Sequence, residues 1–125
     1  MNSKNVTDIF FDLDHTLWDF DKNSMFAFKR VFKKHVVTIP IEDFIKVYEP
    51  INFDYWKLFR EDKVSKKELR RGRLTETFAA FNLNFTLKKI DELADSYIEE
   101  LPGDNHLFNG AELILDYLAK KYTLH

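Results

Sequence analysis

Hydrophobic positions recur with helical spacing along most of the chain. Between residues 22 and 35 the apolar side chains are three or four positions apart, and basic side chains largely occupy the opposite face. The same spacing predicts further helices over residues 42–61, 65–81, 86–101 and 110–121. We therefore predict a mostly helical chain.

Local signals mark where several of these helices begin, bend or end. Ser65 followed by Glu68 has the spacing of a capping box. Pro50 lies inside the second helical pattern, so we expect a kink or break near Glu49. The last helix should turn one apolar face inward, and this face comprises Leu113, Ile114, Tyr117 and Leu118.

Two short segments differ from this pattern. The run Ile9-Phe10-Phe11, inside a predicted strand over residues 6–13, is continuously apolar, as is typical of a buried strand in a parallel sheet. Residues 122–125 resemble the start of a second strand, and parallel strands need a long crossover between them. We expect an α/β fold whose sheet is incomplete in these 125 residues, as in one part of a longer protein.

Composition limits the classes of partner. The formal net charge of -2 gives no basic footprint for nucleic acid. No apolar run approaches the ~18 residues of a membrane span, and no signal peptide is visible. The lack of cysteine excludes disulfides and thiolate metal sites and fits a cytoplasmic location. We expect a cytoplasmic protein that binds neither nucleic acid nor membranes, and we leave open whether it forms a homo-oligomer.

The candidate chemistry lies directly after the first strand, at Asp12, Asp14 and Thr16. The crevice beyond the carboxyl ends of parallel strands is where α/β proteins bind ligands. Two neighbouring carboxylates repel each other unless a cation or proton lies between them, and Mg²⁺ prefers such oxygen ligands. One carboxylate can attack phosphorus while the other transfers protons. The alternative is that both aspartates merely form a turn or helix cap.

The segment Phe10-Phe11-Asp12-Leu13-Asp14-His15-Thr16-Leu17 resembles the first motif of the haloacid dehalogenase (HAD) superfamily. The helical block resembles the cap of that superfamily, and residues 104–113 resemble the return from cap to core. The resemblance implies the N-terminal part of a Rossmann-like core with an inserted α-helical cap. It divides the chain into a first core strand and catalytic loop (1–20), a cap (21–101) and a return to the core (102–125).

The resemblance also implies a magnesium-dependent phosphate monoester hydrolase that forms an aspartyl-phosphate. Asp12 would be the nucleophile and a metal ligand. Asp14 would be the general acid and base and a second metal ligand, through its carbonyl. Thr16 would belong to the substrate-binding loop and hold its shape by hydrogen bonds. Because the other motifs of the superfamily should lie beyond His125, the 125-residue chain alone is expected to be inactive.

Two further segments resemble one branch of the superfamily, and this resemblance implies a class of substrate. Trp18-Asp19-Phe20 and the segment 69–74 resemble the noncanonical pyrimidine nucleotidases, which implies a nucleoside 5′-monophosphate or a similar small phosphorylated metabolite. Trp18 would then stack on a base, although packing in the core is the alternative. Arg70 falls on the predicted stripe of Leu74 and Phe78, where a charge needs a partner.

Arg70 and Arg73 would therefore bind substrate oxygens as bidentate donors, and the alternative is a solvated basic helix face. Two other classes of protein remain as alternatives. A receiver-type phospho-acceptor domain also pairs aspartates near Mg²⁺, and a non-catalytic helical interaction module would leave Asp12 and Asp14 structural. The long helical block after the first strand favours the capped enzyme over the phospho-acceptor.

Overall fold

The structure, a computed structural model, describes residues 5–125, and it confirms a mostly helical chain with a small sheet. The chain divides into two compact units. The core unit comprises the chain up to Ser24 together with Asp104–His125, and the helical unit is Met25–Gly103. In chain order the elements are β1 (Asp8–Ile9), α1 (Phe20–His35), α2 (Ile41–Arg60), α3 (Lys66–Ala80), α4 (Leu87–Glu100), a 3₁₀ turn (Leu101–Gly103), α5 (Ala111–Ala119) and β2 (Thr123–Leu124).

Aromatic side chains build the centre of the helical unit. Phe28 of α1 stacks on Tyr97 of α4 with 4.1 Å between the ring centroids, and the Phe44 ring of α2 lies 4.9 Å from Phe28. Phe78 brings α3 into the same cluster, 5.4 Å from Phe44. Offset and tilted rings of this kind add to the free energy gained by burying their area. All four long helices therefore share one core.

The helix starts agree with their sequence signals. Ser65 and Glu68 form the complete capping box, with each side chain bonded to the other residue's backbone amide. Thr86 caps α4 by accepting a hydrogen bond from the Lys89 amide. Of the kink or break predicted near Glu49, the break does not occur, because α2 continues through Pro50 from Ile41 to Arg60. Buried side chains before Pro50, Phe44 among them, hold the helix in place where the proline lacks an amide donor.

Three helices end in the same type of turn. Val36, Asp62 and Asn82 each follow a helix and adopt a left-handed backbone, with φ of 57°, 56° and 61°. The next amide in each case reaches back five residues, in the bonds Val37 N–H to Phe32 O, Lys63 N–H to Leu58 O and Leu83 N–H to Phe78 O, each 2.9–3.0 Å long. This is the Schellman pattern, in which glycine is the usual left-handed residue. Asp and Asn tolerate that conformation, whereas a β-branched valine is strained in it.

Val36→Gly is therefore expected to stabilise the protein by roughly 1 kcal/mol, the left-handed strain removed less the backbone entropy that glycine loses on folding. The valine side chain is 81% exposed, so its removal sacrifices little burial. Urea denaturation would measure the change. Asn82→Gly is the matched control and should change the free energy of unfolding by only a few tenths of a kcal/mol. Equal effects of the two substitutions would contradict the strain at Val36.

In the core unit β1 and β2 pair in parallel, with Asp8 opposite Thr123 and Ile9 opposite Leu124. The amide of His125 donates to the Ile9 carbonyl at 2.9 Å, and the Phe11 amide donates to the His125 carbonyl at 2.9 Å. The strand predicted over residues 6–13 is reduced to Asp8–Ile9, because a strand extends only as far as a neighbour supplies hydrogen bonds.

Two predicted faces of the core unit are not buried. Phe10, expected inside the sheet, is 78% exposed, and Leu113, expected on the inner face of α5, is 77% exposed. Ile114 and Tyr117 are exposed as well, while Leu118 is half-buried. Those inward predictions are wrong for the described residues, because no further strand or helix of residues 5–125 packs on these surfaces within the core unit.

Candidate active site

The acidic loop, residues 12–18, follows β1 and contains both candidate catalytic residues. Asp12 and Asp14 are exposed. Within residues 5–125 neither carboxylate takes part in a hydrogen bond or an ion pair. The two side chains are therefore open to solvent and to ligands at the end of a parallel strand, the position that the sequence predicted.

A tight turn shapes the acidic loop. The carbonyl oxygen of Leu13 accepts hydrogen bonds from the amides of Thr16, Leu17 and Trp18, at 3.3, 3.0 and 2.9 Å. His15 has a left-handed backbone with φ of 62°, which is uncommon outside glycine and recurs at functional loops. The amides that close the turn belong to residues 16–18. The amides of Leu13 and Asp14 form no hydrogen bond to another described residue.

Thr16 contributes to this turn through its backbone. Its hydroxyl forms no hydrogen bond with the part of the chain that the structure describes, so its predicted contribution to loop shape comes from its amide. The residue also lines a cleft of about 330 Å³ in the core unit, opposite Phe108 and Gly110. A role of Thr16 in substrate binding stays a prediction.

Trp18 lies at the end of the acidic loop and is half-buried. Its indole N–H donates to Asn105 Oδ1 at 3.3 Å, and its ring meets Phe20 edge-on with 5.9 Å between the centroids. The His15 ring also contacts Phe20, with 5.2 Å between the ring centroids. Trp18 thus takes part in packing within the core unit, and base stacking by its remaining surface stays a prediction.

The two candidate arginines belong to the helical unit and differ from each other. Arg70 is exposed, so its predicted place on the buried stripe of α3 is wrong. Arg73 is buried instead, with 5% exposure, and donates from Nη1 to Asn52 Oδ1 at 3.0 Å. Its guanidinium lies 6.0 and 5.6 Å from the ring centroids of Tyr48 and Tyr97, close enough for cation–π attraction.

Basic side chains surround Arg70. A cleft of about 300 Å³ between α3 and α4 is lined by Lys66, Lys67, Arg70, Arg71, Asp91, Ala94 and Asp95. Arg71 and Asp91 form a bidentate pair across it, at 2.8 and 2.7 Å, and this pairing lowers the pKa of the Asp91 carboxyl. Arg70 stays available for a ligand on this face, and its role in substrate binding stays a prediction.

Asn23 and Asn105 were not predicted as part of the site: Asn105 accepts a hydrogen bond from the Trp18 indole, and Asn23 donates to the His106 carbonyl. A lone asparagine carries no motif, so only the folded arrangement reveals them. Among residues 5–125 no three or more histidine, aspartate or glutamate side chains form a cluster able to hold a metal ion. No helix in the described chain is long and apolar enough to cross a membrane.

Comparison with known proteins identifies three relatives. The pyrimidine 5′-nucleotidase PynA of Streptococcus pneumoniae is 33% identical over 118 residues, which covers 94% of this chain and 48% of PynA. The pyrimidine 5′-nucleotidase YjjG of Escherichia coli is 33% identical over 105 residues, 81% of this chain and 44% of YjjG. YfnB of Bacillus subtilis, named as a HAD-hydrolase, is 23% identical over 123 residues, 98% of this chain and 50% of YfnB.

A solved structure shares the fold. The magnesium-bound crystal structure of YfnB superposes with a TM-score of 0.85 at 22% identity, over 95% of this chain and 50% of the YfnB chain. The chain thus spans about half the length of the relatives it matches. No protein-family model matches it. The named relatives, the shared fold and the acidic loop after β1 together make the chain a member of the HAD superfamily.

Proposed function

We propose that this chain carries the nucleophile half of a magnesium-dependent phosphate monoester hydrolase. The observation that carries the proposal is the acidic loop, in which two exposed carboxylates follow a parallel strand and bond to no other described residue. A purely structural aspartate in a turn usually accepts a hydrogen bond from a nearby backbone amide. Asp12 and Asp14 do not, which favours a role toward a ligand.

The residues fit Mg²⁺ in part. Asp12 and Asp14 provide the oxygen ligands that this ion prefers, and Mg²⁺ usually keeps several waters beside one or two protein carboxylates. When bound, the ion would neutralise charge on the carboxylates and the phosphate oxygens. The lack of a third acidic or histidine side chain in the described cluster means that further ligands come from water or from groups outside these residues.

The acidic loop divides the chemistry between its residues. A carboxylate oxygen of Asp12 attacks phosphorus, and the bond from phosphorus to the ester oxygen breaks. Asp14, as the neutral acid, gives its proton to the departing oxygen. Asp14 then takes a proton from water, the water oxygen attacks phosphorus, and inorganic phosphate leaves Asp12 as a free carboxylate. The amides of Leu13 and Asp14, unused within the loop, would donate to the phosphate oxygens.

The substrate that we propose is a nucleoside 5′-monophosphate with a pyrimidine base. Two relatives at 33% identity are named as pyrimidine 5′-nucleotidases. The part-exposed ring of Trp18 supports the proposal, because aromatic faces stack on bases. Cytoplasmic action on a small metabolite agrees with this substrate class.

Phosphate release by the native gene product tests the proposal. We expect hydrolysis of uridine 5′-monophosphate with Mg²⁺, loss of activity in excess EDTA and recovery when Mg²⁺ is restored. Adenosine 5′-monophosphate tests the base preference, and uridine 3′-monophosphate tests the position of the phosphate. The 125-residue chain alone should not turn over. A native product that releases no phosphate from any of these esters in the presence of Mg²⁺ would refute the assignment.

A further inference from the structure

Asn23, in the first turns of α1, forms a two-way hydrogen-bonded contact within the core unit. Its side chain is completely buried, at 0% exposure. The amide nitrogen Nδ2 donates to the carbonyl oxygen of His106 at 3.0 Å, and Oδ1 accepts from the His106 amide at 2.9 Å. The side chain therefore pairs with one residue's backbone as a neighbouring strand would.

This contact joins two chain segments that are far apart in sequence. The Asp19 amide also donates to the His106 carbonyl at 2.9 Å, and the Phe108 amide donates to the Leu17 carbonyl at 3.0 Å. Residues 17–19, which leave the acidic loop, are thus held against residues 105–108 by main-chain bonds at both ends. Asn23 supplies the two further bonds that fix His106 in this arrangement.

Trp18 links the joined segments to the catalytic aspartate. Its amide donates to the Leu13 carbonyl at 2.9 Å, and its carbonyl accepts from the His15 amide at 3.1 Å. Leu13 and His15 are the two neighbours of Asp14. The backbone on both sides of Asp14 is therefore attached to Trp18, which lies within the segment that His106 and Asn23 hold.

We propose that Asn23 is a positioning residue for Asp14, an inference that rests on the function proposed for the acidic loop. Its carboxamide is suited to this role because it offers one donor and one acceptor side by side. A leucine has the same branched shape, although it is larger, and offers neither group. An ionised aspartate keeps the acceptor for the His106 amide but cannot donate to the His106 carbonyl.

The test uses the native gene product, and its readouts do not need catalytic turnover. Amide hydrogen exchange and ¹H–¹⁵N chemical shifts would be measured for Asn23→Leu and Asn23→Asp. Asn109→Ala is the matched control, since Asn109 is an exposed asparagine in the same unit. Amides of α3 and α4, in the helical unit, report whether each variant remains folded. Titration with MgCl₂ then reports binding at Asp12 and Asp14.

We expect Asn23→Leu to accelerate exchange of the His106 and Trp18 amides by roughly tenfold to a hundredfold, the effect of removing one or two buried hydrogen bonds. The Asp14 and His15 amide signals should shift, and the shifts that Mg²⁺ induces at Asp14 should require a higher Mg²⁺ concentration. Asn23→Asp should show the same changes, because its second carboxylate oxygen would face the His106 carbonyl with no proton to donate. Asn109→Ala should leave all of these signals as in the parent chain.

Two results separate this inference from the function on which it rests. If exchange at His106 accelerates in both Asn23 variants but Asp14 and His15 keep their chemical shifts, Asn23 only stabilises the core unit and the positioning role is wrong. If the native gene product shows no Mg²⁺-induced shifts at Asp12 or Asp14 at any concentration, the metal site is wrong. The backbone signals of Asp14 still report on Asn23 in that case.

Discussion

Replacing Asp12 with asparagine is expected to lower phosphate release by the native gene product by at least about 10³-fold, the scale on which loss of a catalytic nucleophile acts. The substitution keeps the shape of the side chain and removes the negative oxygen that, in the proposed mechanism, attacks phosphorus. It also removes the Asp12 carboxylate oxygen that would bind Mg²⁺. Initial rates with uridine 5′-monophosphate, at saturating and limiting Mg²⁺, would measure the loss.

The position of Asp12 allows a well-matched control. Asp21, in the first turn of α1, is also exposed and lies in the same unit, so Asp21→Asn makes the same chemical change outside the acidic loop. We expect this variant to retain near-parental kcat. Asp14→Asn should also release phosphate slowly, but for a different reason: proton transfer is lost while Asp12 can still attack phosphorus.

The phosphorylated intermediate distinguishes the two aspartates. Rapid quenching followed by intact-mass analysis should detect an aspartyl-phosphate in the parent protein and in Asp14→Asn, where its hydrolysis is slowed. None should form in Asp12→Asn. Full activity of Asp12→Asn would mean that another residue attacks phosphorus and would end the assignment of Asp12 as nucleophile.

Local sequence signals predicted the ends of the helices well, because a cap acts within one turn. Ser65 and Thr86 accept hydrogen bonds from amides three residues ahead, whatever the rest of the chain does. The acidic loop was predictable for a similar reason, since its motif and the strand before it are contiguous. The left-handed backbone of Val36 was not predictable, because a β-branched side chain gives no indication of that conformation.

The errors concern which face of an element is covered. Arg70 and Arg73 are about 60° apart around a helix axis, so both lie near the same apolar stripe in sequence. Packing of α3 buries Leu69 and Arg73 and leaves Arg70 exposed to solvent. Which of these residues is buried depends on where the neighbouring helices lie. Leu113 shows the same limit, since periodicity reveals an apolar face but cannot say what packs on it.

Asn23 illustrates the part of the site that sequence cannot supply. Its partner, His106, is 83 residues away in the chain, and the contact uses backbone atoms that every residue possesses. No spacing rule or residue type therefore points from one to the other. The chemistry proposed for Asp12 and Asp14 can be predicted from sequence, whereas the network that holds the backbone on both sides of Asp14 depends on tertiary structure.

Phe28→Ala should be the most destabilising single substitution that we propose, with a loss of about 3–5 kcal/mol. The Phe28 side chain is 1% exposed. Its ring lies 4.1 Å from Tyr97, 4.9 Å from Phe44 and 4.8 Å from Tyr48, measured between ring centroids. Truncation would leave a cavity among rigid rings and remove four aromatic pairs at once, the fourth being that with Phe32 at 6.1 Å. Domains of this size have a free energy of unfolding of about 5–15 kcal/mol, so the substitution would remove a large part of the helical unit's stability.

Urea denaturation followed by far-UV circular dichroism would measure this loss. Phe53→Ala makes the identical chemical change on α2 at a side chain that is 65% exposed, and it should alter the free energy of unfolding by no more than about 0.5 kcal/mol. Phe28→Leu keeps the site filled and should lose an intermediate amount, which preserves the comparison if the alanine variant does not fold. Equal losses at Phe28 and Phe53 would show that the aromatic cluster of α1, α2 and α4 does not hold the helical unit together.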